Sequence, residues 1–354
     1  MAEEYKIDVV KTENSKLKNT QLENLPFGKV FTDHMLVADY ADGKWQKVQI
    51  LPYGPITLDP AATVFHYGQE IFEGIKAFHN ADGNDYIFRP DMNWKRFNTS
   101  AVGLCMPEVP EEIFIGGMKK LIETDREWIP RMAEHSLYIR PFMIASQAFL
   151  GVHPAKEYKF IIILSPSGPY FGKPAAIRIE RHFTRSAKGG VGYSKNGGNY
   201  AASLKAVEKA EADGYDQVLW TAPNDHKYIQ EVGAMNVMFV IDNKVVTPEL
   251  DGTILAGVTR DSVIAVLHDL GITVEERPIS IDELLEAHQT GKLTEAFGTG
   301  TAAVISPIGK LELSEDTIIN FDVEKFETGK KLKAALDDLR LGKVADTHGW
   351  LVKI

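Results

Sequence analysis

A chain of 354 residues, 44% of them hydrophobic and a quarter charged, is long enough to bury a large core and to form two domains or one large one. Its formal net charge of −10 leaves no positive footprint for a phosphate backbone, which argues against a nucleic-acid partner. A lone cysteine, Cys105, permits no intramolecular disulfide and no cysteine-built metal site, which suits a reducing cytoplasm.

The first 25 residues are polar and rich in lysine and glutamate, and read as an N-terminal arm ordered only in part. They contain no long apolar run behind a basic start. No later stretch reaches the roughly 18 apolar residues of a membrane span, so no membrane partner is expected. From Val30 to Tyr53 apolar and polar residues roughly alternate on both sides of Asp42-Gly43, a dipeptide that tolerates positive φ, which predicts a hairpin. Apolar residues then recur at helical spacing from Arg89 to Leu104 and from Pro110 to Trp128, each run opening near a proline suited to a first helical turn. SLYIRPFMIAS (136–146) and KFIIILSPSG (159–168) are β-branched and aromatic runs bounded by turn residues. The first half therefore reads as an α/β domain with a mostly antiparallel sheet.

A glycine- and proline-rich stretch, SPSGPYFGKP (165–174), precedes the strand candidate AAIRIE, which makes 165–185 the best domain boundary. Beyond it the pattern predicts a helix from Tyr200 to Ala212 stopped near Gly214, strands at Gln217–Thr221 and Lys227–Glu231, and a hairpin around Asp242-Asn243. Helices follow at 259–270 and 282–290, the second with Ser280 three residues before Glu283, a capping-box spacing. No internal repeat or low-complexity tract is present.

Several segments can carry chemistry. KGGVGYSKNGGNY (188–200) sets Lys195 among glycines just before a helix; glycines let backbone pass close to a planar ligand, and a buried lysine that loses its proton can attack an aldehyde. Taken alone, a solvated loop lysine is the commoner reading. Glu231 and Asn236 lie on two strands joined through Gly233; the carboxylate is either solvated or the partner of a pyridinium nitrogen. Gly257-Val258-Thr259 opens a helix whose backbone N–H groups and dipole suit a phosphate, although capping alone explains many such starts. FGTGTAA (297–303) is a second Gly/Thr-rich loop that can offer donors to an anion or be a plain turn. Arg89, before Pro90, is a further phosphate candidate or an ordinary surface arginine. The ten histidines form no metal-ligand pattern, and no P-loop or dinucleotide fingerprint stands where a nucleotide fold would need it.

From about Phe27 to the C-terminus, in order, VFTDHM (30–35), FHYGQEIFEGIKAF (65–78), FRPDMNWKRF (88–97), LYIRPF (137–142), GVGYSKNGGNYAASL (190–204), EVGAMN (231–236), GVTRD (257–261) and GTGTAA (298–303) resemble the class IV pyridoxal-phosphate enzymes, most closely the branched-chain amino acid aminotransferases. The resemblance implies pyridoxal 5′-phosphate (PLP) as cofactor, with Lys195 as the Schiff-base lysine and proton shuttle. It further implies that Tyr200 bonds the phenolic oxygen, that Glu231 pairs with the pyridine nitrogen, and that Arg89, Val258, Thr259 and Thr299 hold the phosphate. The substrate carboxylate would meet Thr301, Ala302, Tyr67 and Arg140, while Phe31, Phe72, Tyr138 and Tyr170 would wall the side-chain pocket. Such enzymes are homodimers whose pocket is completed by a neighbour's loop, matched here by Leu150-Gly151-Val152.

The implied activity moves the amino group of leucine, isoleucine or valine to 2-oxoglutarate, giving the branched 2-oxo acid and glutamate; a largely apolar pocket suits those side chains. Ala303 and Ser306 stand where animal relatives carry a redox-active CxxC, and Ala234 where some relatives have threonine. A D-amino acid aminotransferase, an aminodeoxychorismate lyase, or a non-catalytic binding protein on the same scaffold are the competing readings. The implied fold is mixed α/β, fold type IV. Its expected parts are an N-terminal arm at 1–25, a smaller N-terminal α/β domain at 26–169, a linker at 170–184, and a larger cofactor-binding domain with a barrel-like sheet at 185–354.

Overall fold

A computed structural model of the chain describes residues 5–354 apart from 24, 133, 169–172, 224, 303 and 315. The chain divides into two compact units, one of Met1–Tyr170, Ser194–Gly198 and Leu339–Ile354, the other of Phe171–Tyr193 and Asn199–Asp338. Two late segments, one of them holding Lys195, thus belong to the first unit and not to the domain expected at 185–354. They return because each finds hydrogen-bond partners there: the Lys195 backbone on Phe72 and Ser100, the C-terminus on the strand before Arg89. These returns also make the first unit the longer of the two, reversing the expected size order.

The first unit is built on β1 (Ile7–Val9), β2 (His34–Ala41), β3 (Lys44–Pro52), β4 (Glu70–Phe72), β5 (Ile75–His79), β6 (Asp85–Phe88), β7 (Ser136–Ala145) and β8 (Tyr158–Ser167). The sheet runs β1-β3-β2-β8-β7-β5-β6, with the C-terminal strand Leu351–Lys353 on β6 and β4 on β7. All pairings are antiparallel except that of β1 with β3. At the predicted hairpin Asp42 and Gly43 both have positive φ, 53° and 76°, the primed two-residue turn that matches strand twist. Residues 7–9 and 15–16, inside the stretch read as a partly ordered arm, are tied down. Ile7 and Val9 pack on the core, while the Ser15 hydroxyl and Lys16 N–H donate to Asp33.

The unit's helices are α1 (Thr63–Tyr67), α2 (Pro90–Gly103) and α3 (Gly117–Thr124). The single helix expected over 110–128 is broken into a π turn at Glu112–Gly116, α3, and a 3₁₀ turn at Arg126–Trp128. The chain presses so close to β2 here that a Cβ on Gly117 would strike Leu36. Phe97 of α2, Phe114 and Phe160 of β8 meet at centroid distances of 5.2–5.6 Å in the core. Burial of each such ring contributes about 1.5–3 kcal/mol.

The second unit holds β9 (Ala175–Ile179), β10 (Gln217–Thr221), β11 (Ile229–Val232), β12 (Met235–Ile241), β13 (Lys244–Thr247), β14 (Val274–Glu276), β15 (Leu293–Gly300), β16 (Val304–Ser314) and β17 (Thr317–Asn320). Six of them close into a barrel in the order β11-β10-β9-β16-β15-β12, because β12 gives its first residues to β11 and its last to β13. β9, the strand candidate AAIRIE, lies in the stretch expected to be linker at 170–184, and it is a barrel strand, parallel to both β10 and β16. The FGTGTAA loop is likewise strand as far as Gly300. Around the barrel are α4 (Gly197–Ala212), α5 (Val258–Asp269), α6 (Ile281–Gln289) and α7 (Thr328–Arg340). The Ser280 hydroxyl accepts the Glu283 N–H at 3.1 Å, the cap its spacing predicted.

Candidate active site

Lys195 is half-buried between buried Ser194 and Asn196. Its backbone is bonded on both sides. The N–H donates to Ser100 Oγ at 2.9 Å, and the carbonyl accepts the Phe72 N–H at 3.0 Å, while Ile71 and Asn196 form a bridge. Its Nζ lies 4.9 Å from the centroid of the Phe72 ring. This is a held lysine, unlike the solvated loop residue that local sequence favours.

Beside Phe72, the fully buried Glu73 takes Arg96 Nε at 2.7 Å and Nη2 at 2.8 Å, Asn93 Nδ2 at 2.7 Å, and the Gly74 N–H at 3.1 Å. Burial pushes this carboxyl up, but the Arg96 guanidinium, the charge of Lys195 and the Asn93 bond outweigh it and hold the group below the usual range. Asn93, Arg96 and Ser100 sit at i, i+3 and i+7 on α2, so one helix face serves Glu73 and Lys195 together. Neighbouring Glu70 is pushed up by burial, with Arg140 opposing.

Tyr138 and Arg140, two apart on β7, share a face of the sheet. Arg140 Nη2 donates to the Tyr138 hydroxyl at 2.9 Å, and its guanidinium carbon lies 4.9 Å from the Phe72 centroid. Arg140 Nε is buried with no hydrogen-bond partner among the described residues. A Cβ on Gly74 would collide with the Tyr138 hydroxyl, so a side chain there would have to displace Tyr138. Lys195, Phe72, Tyr138 and Arg140 are thus drawn together by shared contacts with Phe72 and with one another. The other first-unit candidates have different companions: Phe31 stacks on Tyr53 at 5.0 Å, and the Tyr67 hydroxyl donates to the Leu150 carbonyl at 2.6 Å. Val152, in the same loop as Leu150, is 85% exposed. Tyr170 lies outside the described residues. Arg89 precedes α2 in a left-handed conformation, φ 48°, and is buried against Trp350.

In the second unit Glu231 and Asn236 pair across β11 and β12, joined by a turn in which Gly233 has φ 55°. Glu231 Oε1 accepts the Leu255 N–H at 3.0 Å and Asn236 Nδ2 at 3.2 Å; Arg185 Nε stands 3.1 Å from Oε2. Both members of that ion pair are buried, so the carboxylate is oriented and not solvated. Asn236 faces Thr299 across β12 and β15, and a Cβ on Gly257 would strike its side-chain oxygen. Val258 and Thr259 are the first residues of the 12-residue α5, whose N-cap Gly257 brings no side-chain cap. Thr299 Oγ1 is buried with no hydrogen-bond partner among the described residues. An uncapped helix start and an orphaned buried hydroxyl are what a bound phosphate satisfies, so these residues fit the phosphate of PLP. Tyr200 is half-buried in the first turn of α4, and Thr301 and Ala302 are half-buried in the turn after β15.

The model of the amino-transferase class IV family matches residues 70–311. The chain belongs to that family. This class IV aminotransferase is 48% identical over 353 residues to branched-chain-amino-acid aminotransferase 2 of Bacillus subtilis (strain 168), covering 99% of this chain and 96% of the relative. It is 48% identical over 359 residues to a probable branched-chain-amino-acid aminotransferase of Staphylococcus aureus (strain MRSA252), covering 100% and 99%. Among solved structures, the Escherichia coli branched-chain amino acid aminotransferase superposes with a TM-score of 0.75 at 25% identity, covering 90% of this chain and 98% of that one. The branched-chain amino acid aminotransferase of Thermobaculum terrenum, solved in its PLP form, gives 0.70 at 23% identity, covering 91% and 98%. The mixed α/β fold with its six-stranded barrel is that of these enzymes.

Several of the aminotransferase's residues carry no local signal of their role. Asn93, Arg96 and Ser100 are polar residues at helical spacing and Glu73 lies inside GQEIFEG, but only the fold reveals that Asn93 and Arg96 bond Glu73 and that Ser100 bonds Lys195. Arg185, which orients Glu231, belongs to no motif read from the sequence.

Proposed function

We propose that this class IV aminotransferase transfers the amino group of leucine, isoleucine or valine to 2-oxoglutarate with PLP as cofactor, working as a homodimer in the cytoplasm. The observation that carries the reading is the held Lys195 against Phe72, in a chain similar over its whole length to enzymes named for branched-chain amino acids. Lys195, Tyr200 and Glu231 would hold the cofactor ring, and Arg89, Val258, Thr259 and Thr299 its phosphate. When bound, PLP supplies an electron-withdrawing ring that stabilises negative charge on the substrate's α-carbon.

The chain's own groups then divide the work. Lys195 Nζ takes the α-carbon proton, acting from one place because its backbone is bonded on both sides. Glu231, oriented by Leu255, Asn236 and Arg185, keeps a proton on the ring nitrogen. Thr301, Ala302, Tyr67 and Arg140 receive the substrate carboxylate. Phe31, Phe72, Tyr138 and Tyr170 surround an aliphatic side chain, whose burial contributes about 0.8 kcal/mol per methylene. Arg140 would also meet the γ-carboxylate of glutamate.

The homodimer and its loop Leu150-Gly151-Val152 are supported by exposed apolar side chains at Phe65, Tyr67, Phe149, Leu150 and Val152. Tyr67 and the Ala62–Ala148 bridge fasten that loop to α1. A cytoplasmic site is supported by the single cysteine, which needs no partner. The purified protein should be yellow, change spectrum on addition of leucine, and turn over leucine, isoleucine and valine with 2-oxoglutarate. A protein that takes up no PLP, or that turns over none of the three, overturns the proposal.

A further inference from the structure

We propose that Trp350 is a positioning residue for Arg89, so that the C-terminal strand is a working part of the phosphate grip; this rests on the reading that Arg89 binds the phosphate. Arg89 adopts a left-handed backbone conformation that L-residues seldom keep unaided. Its N–H donates to the Trp350 carbonyl at 2.8 Å, and the next pair along, Leu351 with Phe88, continues the ladder between the C-terminal strand and β6. The guanidinium carbon lies 4.5 Å from the Trp350 ring centroid, and both residues are more than nine-tenths buried.

The indole is itself held. Phe88 meets it edge-on at 5.7 Å, His348 stacks on it at 4.2 Å, and the Leu351 N–H donates to Asp346 at 2.7 Å, folding the tail back. Contact with an aromatic face orients a guanidinium without consuming any of its in-plane N–H donors. Trp350 therefore restricts where the arginine points without itself taking up an N–H donor.

The test compares PLP with pyridoxal, which lacks the phosphate, by absorbance titration of cofactor-free protein. Trp350→Ala should bind PLP about five- to ten-fold more weakly and pyridoxal unchanged within about two-fold. Trp350→Leu, which keeps apolar bulk without a π face, should behave as Trp350→Ala does, and Trp350→Phe should recover most of the PLP affinity. The Leu and Phe variants carry the test if Trp350→Ala does not fold. Arg89→Gln should show a larger loss, again confined to PLP. An Arg89→Gln protein that keeps the wild-type preference for PLP overturns the phosphate reading and this inference with it. A selective loss in Arg89→Gln, alongside an equal loss of both ligands or no loss in the Trp350 variants, overturns the inference alone.

Discussion

A buried arginine nitrogen with no partner is a rare and costly thing, and among the described residues Arg140 Nε has none, while Nη2 of the same guanidinium engages the Tyr138 hydroxyl. A substrate carboxylate is the group that would relieve it. Replacing Arg140 with Met should therefore lower kcat/KM for glutamate and 2-oxoglutarate by roughly 30-fold or more, and that for leucine by less. Steady-state kinetics with each substrate checks this, and equal losses would count against the γ-carboxylate role. Ser100 sets a different question at the same scale, because its hydroxyl is the acceptor for the part-buried Lys195 N–H. Ser100→Ala removes that acceptor, at about 0.5–1.5 kcal/mol, and loosens the lysine. A lower melting temperature should come with about a ten-fold fall in kcat at little change in KM. A fall in melting temperature alone would reduce Ser100 to a structural role.

Among elements, the residue after β4 and α2 meet in a buried ion pair, Glu73 with Arg96. Glu73 has a carboxyl held below its ordinary value near 4.5 because, despite burial, Arg96 and Asn93 favour the ionised form. A group whose folded value is depressed contributes stability above its unfolded value and loses it as the pH falls through the folded one. Urea midpoints should thus hold as the pH drops to about 4.5 and decline below it. Glu73→Gln should abolish that component and destabilise the protein at neutral pH by about 3–5 kcal/mol, since it strands Arg96 in the core. A midpoint profile identical in wild type and variant would contradict the assignment.

Elements defined by near neighbours were legible beforehand: the Asp42-Gly43 turn, the Ser280 cap, and the start of α5 at Val258 are all local signals. The unread ones depend on distant partners. The strand AAIRIE was legible as a strand, but its place between β10 and β16, which closes the barrel, was not. The helix expected over 110–128 breaks where Gly117 meets Leu36.

For the whole molecule, the same distinction explains which parts of the candidate site could be read. The glycine-marked segments single out Lys195 and Glu231 as candidates, although locally a solvated Lys195 is the commoner reading, whereas Ser100 and Trp350 act on residues 95 and 261 positions away, and no local pattern encodes such pairings. The proposed homodimer belongs to this scale too. A surface that leaves Leu150 and Val152 65% and 85% exposed is an unfavourable one for a lone chain. Light scattering should give a dimer at micromolar concentration, and Val152→Asp should shift it toward monomer; a wild-type monomer would refute the assignment.

Lys195 is the centre of the proposed chemistry, and its most direct test is chemical. Borohydride reduction of the PLP-loaded protein, followed by peptide mass mapping, should find the cofactor fixed to the peptide at Lys195. Label on a different lysine, or no label at all, would contradict it.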